Sequence, residues 1–186
     1  MPRRHDPERR QRIIDAAIRI AEAKGIAGLS HRTVAAEADV PLGSTTYHFA
    51  SLDDLLIAAL EQVNSQPRCA VIGWEDGLTA VGIPGGVPLA DALTQLLEEY
   101  AHGGRGRIRL EYELYLAALR RPRLQPLAAG CVDEMTEMIG RHTSDLATAR
   151  VLVALIDGLL LQLLLTDRPF DRAEVRAALA RVTGER

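Results

Sequence analysis

The sequence predicts an all-α protein, and three observations carry that prediction. Apolar residues make up 47% of the 186-residue chain but aromatics only 4%, so Leu, Ala, Ile and Val supply the core, a bias that favours helices. Apolar positions recur at helical spacing in segment after segment, and no stretch shows a convincing period-two alternation. Helix start and stop residues punctuate those segments at plausible lengths.

Taken in order, the first helix opens with Asp6 as N-cap and Pro7 at its first position. Its apolar stripe is Ile13, Ala16, Ala17, Ile20 and Ala21, and Gly25 provides the stop. Ser30 caps a second short helix that turns Val34, Ala35 and Ala38 inward. Asp39-Val40-Pro41 reads as a tight turn, and a third short helix runs from Leu42 to about His48. Ser51 and Asp54 make a capping-box-like start for a fourth helix through Leu55, Leu56, Ala59, Leu60 and Val63.

Residues 66–88 change character, with five Gly and three Pro, and predict an irregular connection or short, broken helices. Helical pattern resumes with Leu89, Ala92, Leu93, Leu96, Leu97 and Tyr100 on one face, and Gly103-Gly104 breaks it. The next segment, Arg107 to Leu119, carries the i,i+4 pairs Arg107/Glu111 and Arg109/Glu113. Pro122 and Pro126 bracket a further start, continued by Leu127, Cys131, Met135, Met138 and His142. Ser144 begins an apolar helix ending near Thr166, and Asp171 with Glu174 caps a last helix bearing Val175, Leu179 and Val182.

Charge narrows the function. The net charge is −3, so the chain as a whole is no basic nucleic-acid binder. Residues 1–50 nevertheless hold eight Arg or Lys against six Asp or Glu, a balance of +2, while the remainder carries −5. A basic head on an acidic body suits local phosphate contact. Two cysteines, Cys69 and Cys131, make no disulfide framework in a chain this size. The first residues have no apolar signal core. Val151–Thr166 is shorter than the ~20 residues that span a bilayer and contains Asp157, so it reads as a buried helix. A soluble, cytoplasmic protein with no membrane role is expected.

The informative region is Leu29 to Leu56. Two short helices joined by a tight turn and braced by a longer preceding helix form helix-turn-helix architecture. The second of the pair must present small and polar groups, because base edges are read by close approach and hydrogen bonds. Leu42-Gly43-Ser44-Thr45-Thr46-Tyr47-His48 suits that task. Gly43 lets backbone come near DNA, Ser44 and Thr46 can bond bases or phosphates, Tyr47 and His48 can reach phosphates, and Phe49 anchors the element in the core. A polar surface helix of no special role fits the local pattern equally well.

Ile13-Ile14-Asp15-Ala16-Ala17, Gly28-Leu29-Ser30, Val34-Ala35-Ala36-Glu37-Ala38, Gly43 to Phe49, Ser51 and Leu55-Leu56 stand at the spacing of TetR-family DNA-binding domains, which this region closely resembles. Asp157-Gly158-Leu159-Leu160-Leu161-Gln162 is similar to the penultimate helix of many members. The resemblance implies three N-terminal helices for DNA (residues 1–50) and a larger helical domain for dimerisation and ligand (51–186). It implies DNA contacts from His31, Arg32 and Thr33 and from Leu42, Gly43, Ser44, Thr46, Tyr47 and His48. It also implies a transcriptional regulator, by family default a repressor, released by a small, largely apolar ligand. Four positions depart from the common pattern: Pro41 in place of Ser, Thr46 in place of Tyr, Leu52 in place of Lys, and Asp39 in place of Gly.

Other chemistry finds little support. The five His are scattered, and neither Cys stands at ligand spacing from a partner, so no metal or other cofactor is expected. Glu98-Glu99 and Glu111/Glu113 read as solvated or Arg-paired carboxylates, and no Gly-rich loop follows a strand, so no enzyme is expected. With the resemblance, Trp74, Tyr100, Tyr112 and Tyr115 become candidates for a ligand pocket. Val151, Leu152, Leu155, Ile156, Leu159, Leu160 and Leu163 are more apolar surface than one helix buries in a small monomer, which predicts a homodimer. Its recognition helices would stand ~34–36 Å apart and demand a roughly palindromic operator. The rival readings are a constitutive or architectural DNA-binding protein without a ligand, and a helical enzyme or scaffold with an incidental helix-turn-helix.

Overall fold

The computed structural model describes residues 8–65, 71–81, 83, 86–102, 105–166 and 168–185. Among them stand ten α-helices and no strand: α1 (Arg9–Lys24), α2 (His31–Glu37), α3 (Leu42–His48), α4 (Leu52–Ser65), α5 (Val71–Val81), α6 (Leu89–His102), α7 (Arg105–Ala118), α8 (Gln125–Gly140), α9 (Leu146–Thr166) and α10 (Arg172–Thr183), with a 3-10 turn at Ile26–Gly28. By internal packing the chain divides into two compact units, Met1–Val63 with Arg109–Ala128, and Asn64–Ile108 with Ala129–Arg186. The boundary anticipated at residue 50 marks where the proposed DNA-contacting helices end; α4 packs with the first three helices.

The first unit is organised around one core. Ile13, Ile14, Ala16, Ala17 and Ile20 of α1 meet Val34 and Ala38 below α2, Phe49, and Leu55, Leu56 and Leu60 of α4. Leu110 and Leu114 of α7 and Leu124 close the same cluster. The apolar stripe of α1 is therefore the floor on which the two short helices rest. Short helices are marginal in isolation, and packing of this kind is what stabilises them. Leu52 is half-buried against this core. Asp6 and Pro7 lie outside the described residues; α1 begins at Arg9, and Glu8 before it makes no side-chain cap bond. Gly25 ends it as anticipated, in a left-handed conformation (φ 72°) that glycine adopts without steric cost.

Glu113 overturns one local expectation. Its carboxylate accepts the Ile26 N–H at 2.8 Å rather than pairing with Arg109. An unsatisfied donor at the start of the 3-10 turn draws the carboxylate more strongly than an exposed i,i+4 cation does, since surface ion pairs contribute little. The Arg107 side chain, and with it the Arg107/Glu111 pairing, lies outside the described residues.

In the second unit, α6 packs chiefly on α10, with α5 against α6 and α9 against α10. A clasp of ion pairs ties the first two together. Arg176 donates to Asp91 in two-pronged fashion at 2.6 and 3.0 Å, and Arg172 pairs with Glu98. The Glu185 carboxylate accepts the N–H groups of Leu89 and Ala90, each at 2.9 Å, so the far end of the chain caps the start of α6. The Gly- and Pro-rich stretch contains a regular eleven-residue helix, α5. There Gly77 lets α6 approach so closely that a Cβ would lie 2.5 Å from the Leu96 side chain.

α9 departs from expectation in three respects. It begins at Leu146 and spans 21 residues, so by length and composition it is apolar and long enough to cross a bilayer. Its cap is Asp145, which accepts the Thr148 N–H at 2.8 Å, rather than Ser144. It is also only partly buried: Ala149, Leu152, Val153, Ile156 and Leu160 face the interior, while Val151 and Leu165 are 52% and 75% exposed.

Candidate nucleic-acid interface

The interface is built from local capping chemistry upward. Ser30 takes an extended backbone, its hydroxyl accepts the Thr33 N–H at 3.1 Å, and the Thr33 hydroxyl accepts the Ser30 N–H at 2.9 Å. This is a reciprocal capping box in which Thr33 does the work usually given to Glu or Gln. The Thr33 hydroxyl also lies 3.0 Å from the Gly28 carbonyl. Of the three α2 residues expected at DNA, Thr33 thus has its hydroxyl engaged in fixing the helix start. Arg32 is exposed. His31 is half-buried, with its Nδ1 enclosed and unpaired.

The turn between α2 and α3 is closed by Asp39 at φ +51°. The Val40 N–H reaches the Ala35 carbonyl at 3.0 Å and the Asp39 N–H reaches Ala36 at 3.3 Å. These two bonds are a Schellman motif with Asp at the position glycine usually fills. Asp tolerates the left-handed region better than most residues, which explains how the departure from Gly is accommodated. Pro41 precedes α3 with its backbone at φ −58° and no side-chain cap, as proline at a helix start permits.

Inward and outward roles in α3 separate cleanly. Thr45 is fully buried and donates to the Leu42 carbonyl at 2.8 Å, with the His31 carbonyl of α2 at 3.4 Å. Phe49 is 2% exposed, and the Arg10 guanidinium sits 5.2 Å above its ring, a cation–π contact that seats α3 on α1. Outward stand Leu42 at 46% exposure, Gly43, Thr46, and Tyr47 at 81%, with Ser44 and His48 half-buried. Tyr47 and His48 meet edge to face with centroids 5.1 Å apart. Of the six α3 residues expected at DNA, Leu42, Gly43, Thr46 and Tyr47 are exposed, and Ser44 and His48 are half-buried.

Sequence reasoning missed the bracing of α4. The anticipated box at its start forms: the Asp54 carboxylate accepts the Ser51 N–H at 2.9 Å, and the Ser51 hydroxyl accepts the Asp54 N–H at 3.2 Å. Two arginines from the turn before α8 then grip the same helix start. Arg121 pairs with Asp53, and Arg123 donates to Asp54 at 2.6 Å and to the Ser51 hydroxyl at 3.0 Å. Hydrogen bonds from Ser51, and then from Arg123, hold the Asp54 carboxyl below the usual carboxylate range. Paired acids in a first turn with no local cation were the one available signal.

The other predicted residues fall as follows. Trp74 is buried in the second unit with its ring 6.3 Å from that of Tyr100; Tyr112 and Tyr115 pair at the same distance in the first unit. The four residues thus form two pairs, one in each unit. Of the α9 set, Leu152, Ile156 and Leu160 belong to the chain's own interior, while Leu155, Leu159 and Leu163 are half-exposed and Val151 is exposed.

A capped three-helix head with a polar outward third helix defines a helix-turn-helix DNA-binding protein. Residues 13–59 match the family described as bacterial regulatory proteins, tetR family, and residues 87–185 match the family described as tetracyclin repressor-like, C-terminal domain. The chain belongs to the TetR family of transcriptional regulators, whose work is DNA binding rather than catalysis. It is similar along most of its length to the multidrug binding protein EbrR. The crystal structure of EbrR with imidazole is 53% identical over 96% of each chain, with a TM-score of 0.83. That with ethidium is 52% identical over 95% of this chain and 99% of that one, with a TM-score of 0.80. A TetR-family member from Streptomyces coelicolor A3 is 53% identical over 95% and 99%, with a TM-score of 0.80. The HTH-type nicotine-responsive transcriptional repressor HdnoR of Paenarthrobacter nicotinovorans is 43% identical over 74 residues, which are 37% of this chain and 38% of that protein's length.

Proposed function

We propose that this regulator is a homodimeric repressor that binds a two-fold operator through α3 and leaves it when an aromatic cation occupies the second unit. The carrying observation is the outward face of α3, whose exposed residues leave the folding of the head to Thr45 and Phe49. Arg32 on α2 supplies a phosphate or base contact, and Tyr47 and His48 supply phosphate contacts.

Dimerisation is supported by the stripe that α9 leaves uncovered. Ala147, Val151, Ala154, Gly158, Leu161 and Leu165 succeed one another at alternating four- and three-residue steps and are exposed or half-exposed. A Cβ at Gly158 would meet nothing within 4 Å. Small residues at Ala154 and Gly158 admit a second helix, and Val151, Leu155, Leu159 and Leu163 flank the seam. Leu152, Ile156 and Leu160 act from beneath it. An exposed apolar strip on a soluble regulator is best accounted for by such a partner.

For the ligand, the structures of EbrR hold ethidium, proflavin and malachite green, all aromatic cations. The sequence pointed to a small apolar compound; an aromatic cation keeps the apolar surface and adds a charge that suits the −5 carried after residue 50. The Trp74 and Tyr100 rings offer stacking surface. Such a ligand acts only by preferring the conformation that no longer fits the operator, and coupling of ~1–3 kcal/mol would shift occupancy by about 5–150-fold.

Titration with malachite green, whose twisted rings do not intercalate into DNA as planar ethidium does, tests this: Trp74 emission and release of a bound duplex should follow one saturation curve. Emission change without release leaves a ligand-binding but constitutive DNA-binding protein. A monomer by light scattering at micromolar concentration overturns the dimer.

A further inference from the structure

We propose that α3 reads operator DNA through thymine methyl groups, with Leu42 as the specificity-determining side chain and the Thr46 methyl beside it. This rests on the DNA-binding reading above and adds the base class that α3 selects.

The argument begins with what α3 lacks. Its sequence, Leu-Gly-Ser-Thr-Thr-Tyr-His, contains no Arg, Lys, Asn or Gln. Guanine is read in the major groove by a two-pronged Arg or Lys, and adenine by Asn or Gln. None of these is available on this helix. The Thr45 hydroxyl is turned inward, toward the Leu42 carbonyl at 2.8 Å, and the exposed Thr46 hydroxyl bonds back to the Gly43 carbonyl of its own helix at 3.3 Å. With its hydroxyl bonded to the helix, the exposed Thr46 has its methyl as the group free to make an apolar contact.

On the side of Leu42 and Thr46, what α3 presents is apolar and close, while Ser44, Tyr47 and His48 keep the rest of the helix polar. Leu42 is 46% exposed although the opposite side of its helix is packed. Beside it Gly43 is bare: a Cβ there would meet nothing within 4 Å, and its φ is not left-handed. Neither packing nor backbone geometry within the chain calls for glycine at a site where it weakens a helix. Close approach of an external surface does. Thr46 lies one turn on from Leu42, so the leucine side chain and the threonine methyl form a small ledge alongside exposed backbone. The thymine C5-methyl is the apolar contact point of the major-groove code. Guanine reading falls to Arg32 of α2, which is exposed.

The test uses the full-length protein and a random duplex library enriched by binding at low salt. The enriched duplex is then resynthesised with deoxyuridine at one thymine at a time, which removes the methyl and keeps every hydrogen-bonding group. Affinity should fall about fourfold at one or two thymines in each half-site, the loss expected for one buried methyl-sized group (roughly 0.8 kcal/mol at 1.4 kcal/mol per tenfold). In Leu42→Ala, confirmed folded by circular dichroism, that sensitivity should disappear. Tight binding indifferent to deoxyuridine everywhere would leave the DNA-binding reading standing and overturn thymine reading. Undiminished sensitivity in Leu42→Ala would overturn the role of Leu42. Failure to enrich any duplex would overturn both.

Discussion

Gly43→Ala should make the free protein more stable and a worse DNA binder. Within the chain the new methyl meets nothing within 4 Å and the backbone there is not left-handed. The substitution therefore recovers the helix-propensity difference between Gly and Ala, about 0.5–1 kcal/mol, without strain. In a protein of this size that corresponds to a rise in Tm of roughly 1–4 °C. At the DNA the same methyl occupies space that close backbone approach requires, and forcing one extra carbon into a packed contact costs about 1–3 kcal/mol, or roughly 5- to 150-fold in affinity. The assays are thermal unfolding followed by circular dichroism without DNA, and fluorescence anisotropy on the enriched duplex at fixed salt. Gly106→Ala is the control, because its Cβ is equally open and it lies on α7; its DNA affinity should not change. Wild-type affinity in Gly43→Ala would refute close approach at this residue, and lowered stability would refute the local geometry behind the argument.

Four further outcomes follow from the geometry. Thr45→Val removes a buried hydroxyl bonded to the Leu42 carbonyl and should lower stability by about 0.5–1.5 kcal/mol in urea unfolding. Glu113→Ala leaves the Ile26 N–H without its acceptor and should cost about 1 kcal/mol, with Glu113→Gln intermediate, by the same measurement. Asp54, Asp91 and Asp145 are held below the usual carboxylate range, chiefly by hydrogen bonds from Ser51, Arg176 and the Thr148 N–H respectively. Their contribution is therefore fully present above the unfolded-state value near 4 and is lost as pH falls through the lower folded-state values; Asp54→Asn should flatten that acid limb in pH-dependent unfolding. Arg32→Ala should weaken duplex binding by about 1–3 kcal/mol and relax the preference for guanine at one position of each half-site, while leaving the Tm unchanged.

The features legible in the sequence are those determined within about one helical turn. The Ser30 cap, the Ser51/Asp54 box, the Asp171 cap, the Gly25 stop and the tight turn at Asp39 all formed as the residues indicated. Capping requires only that a side-chain oxygen reach an N–H two or three residues on, so the chemistry and the spacing are both local. The bounds of α3, and with them the residues offered to DNA, follow from such signals.

Long-range contacts left no such trace. Glu113 caps a turn 87 residues away, Arg123 grips Asp54 at a separation of 69, and Glu185 caps α6 from 96 residues beyond Leu89. Each uses a common surface residue whose sequence neighbours say nothing of its partner. The same limit governs α9, where fifteen of the 21 residues are apolar and the few polar ones form no continuous face at the 3.6-residue period. Sequence alone predicted that this helix holds more apolar surface than a monomer needs. Only packing in three dimensions decided that Leu152, Ile156 and Leu160 face inward while Val151 and Leu165 remain uncovered, because a largely apolar helix acquires an inside and an outside only from what it packs against.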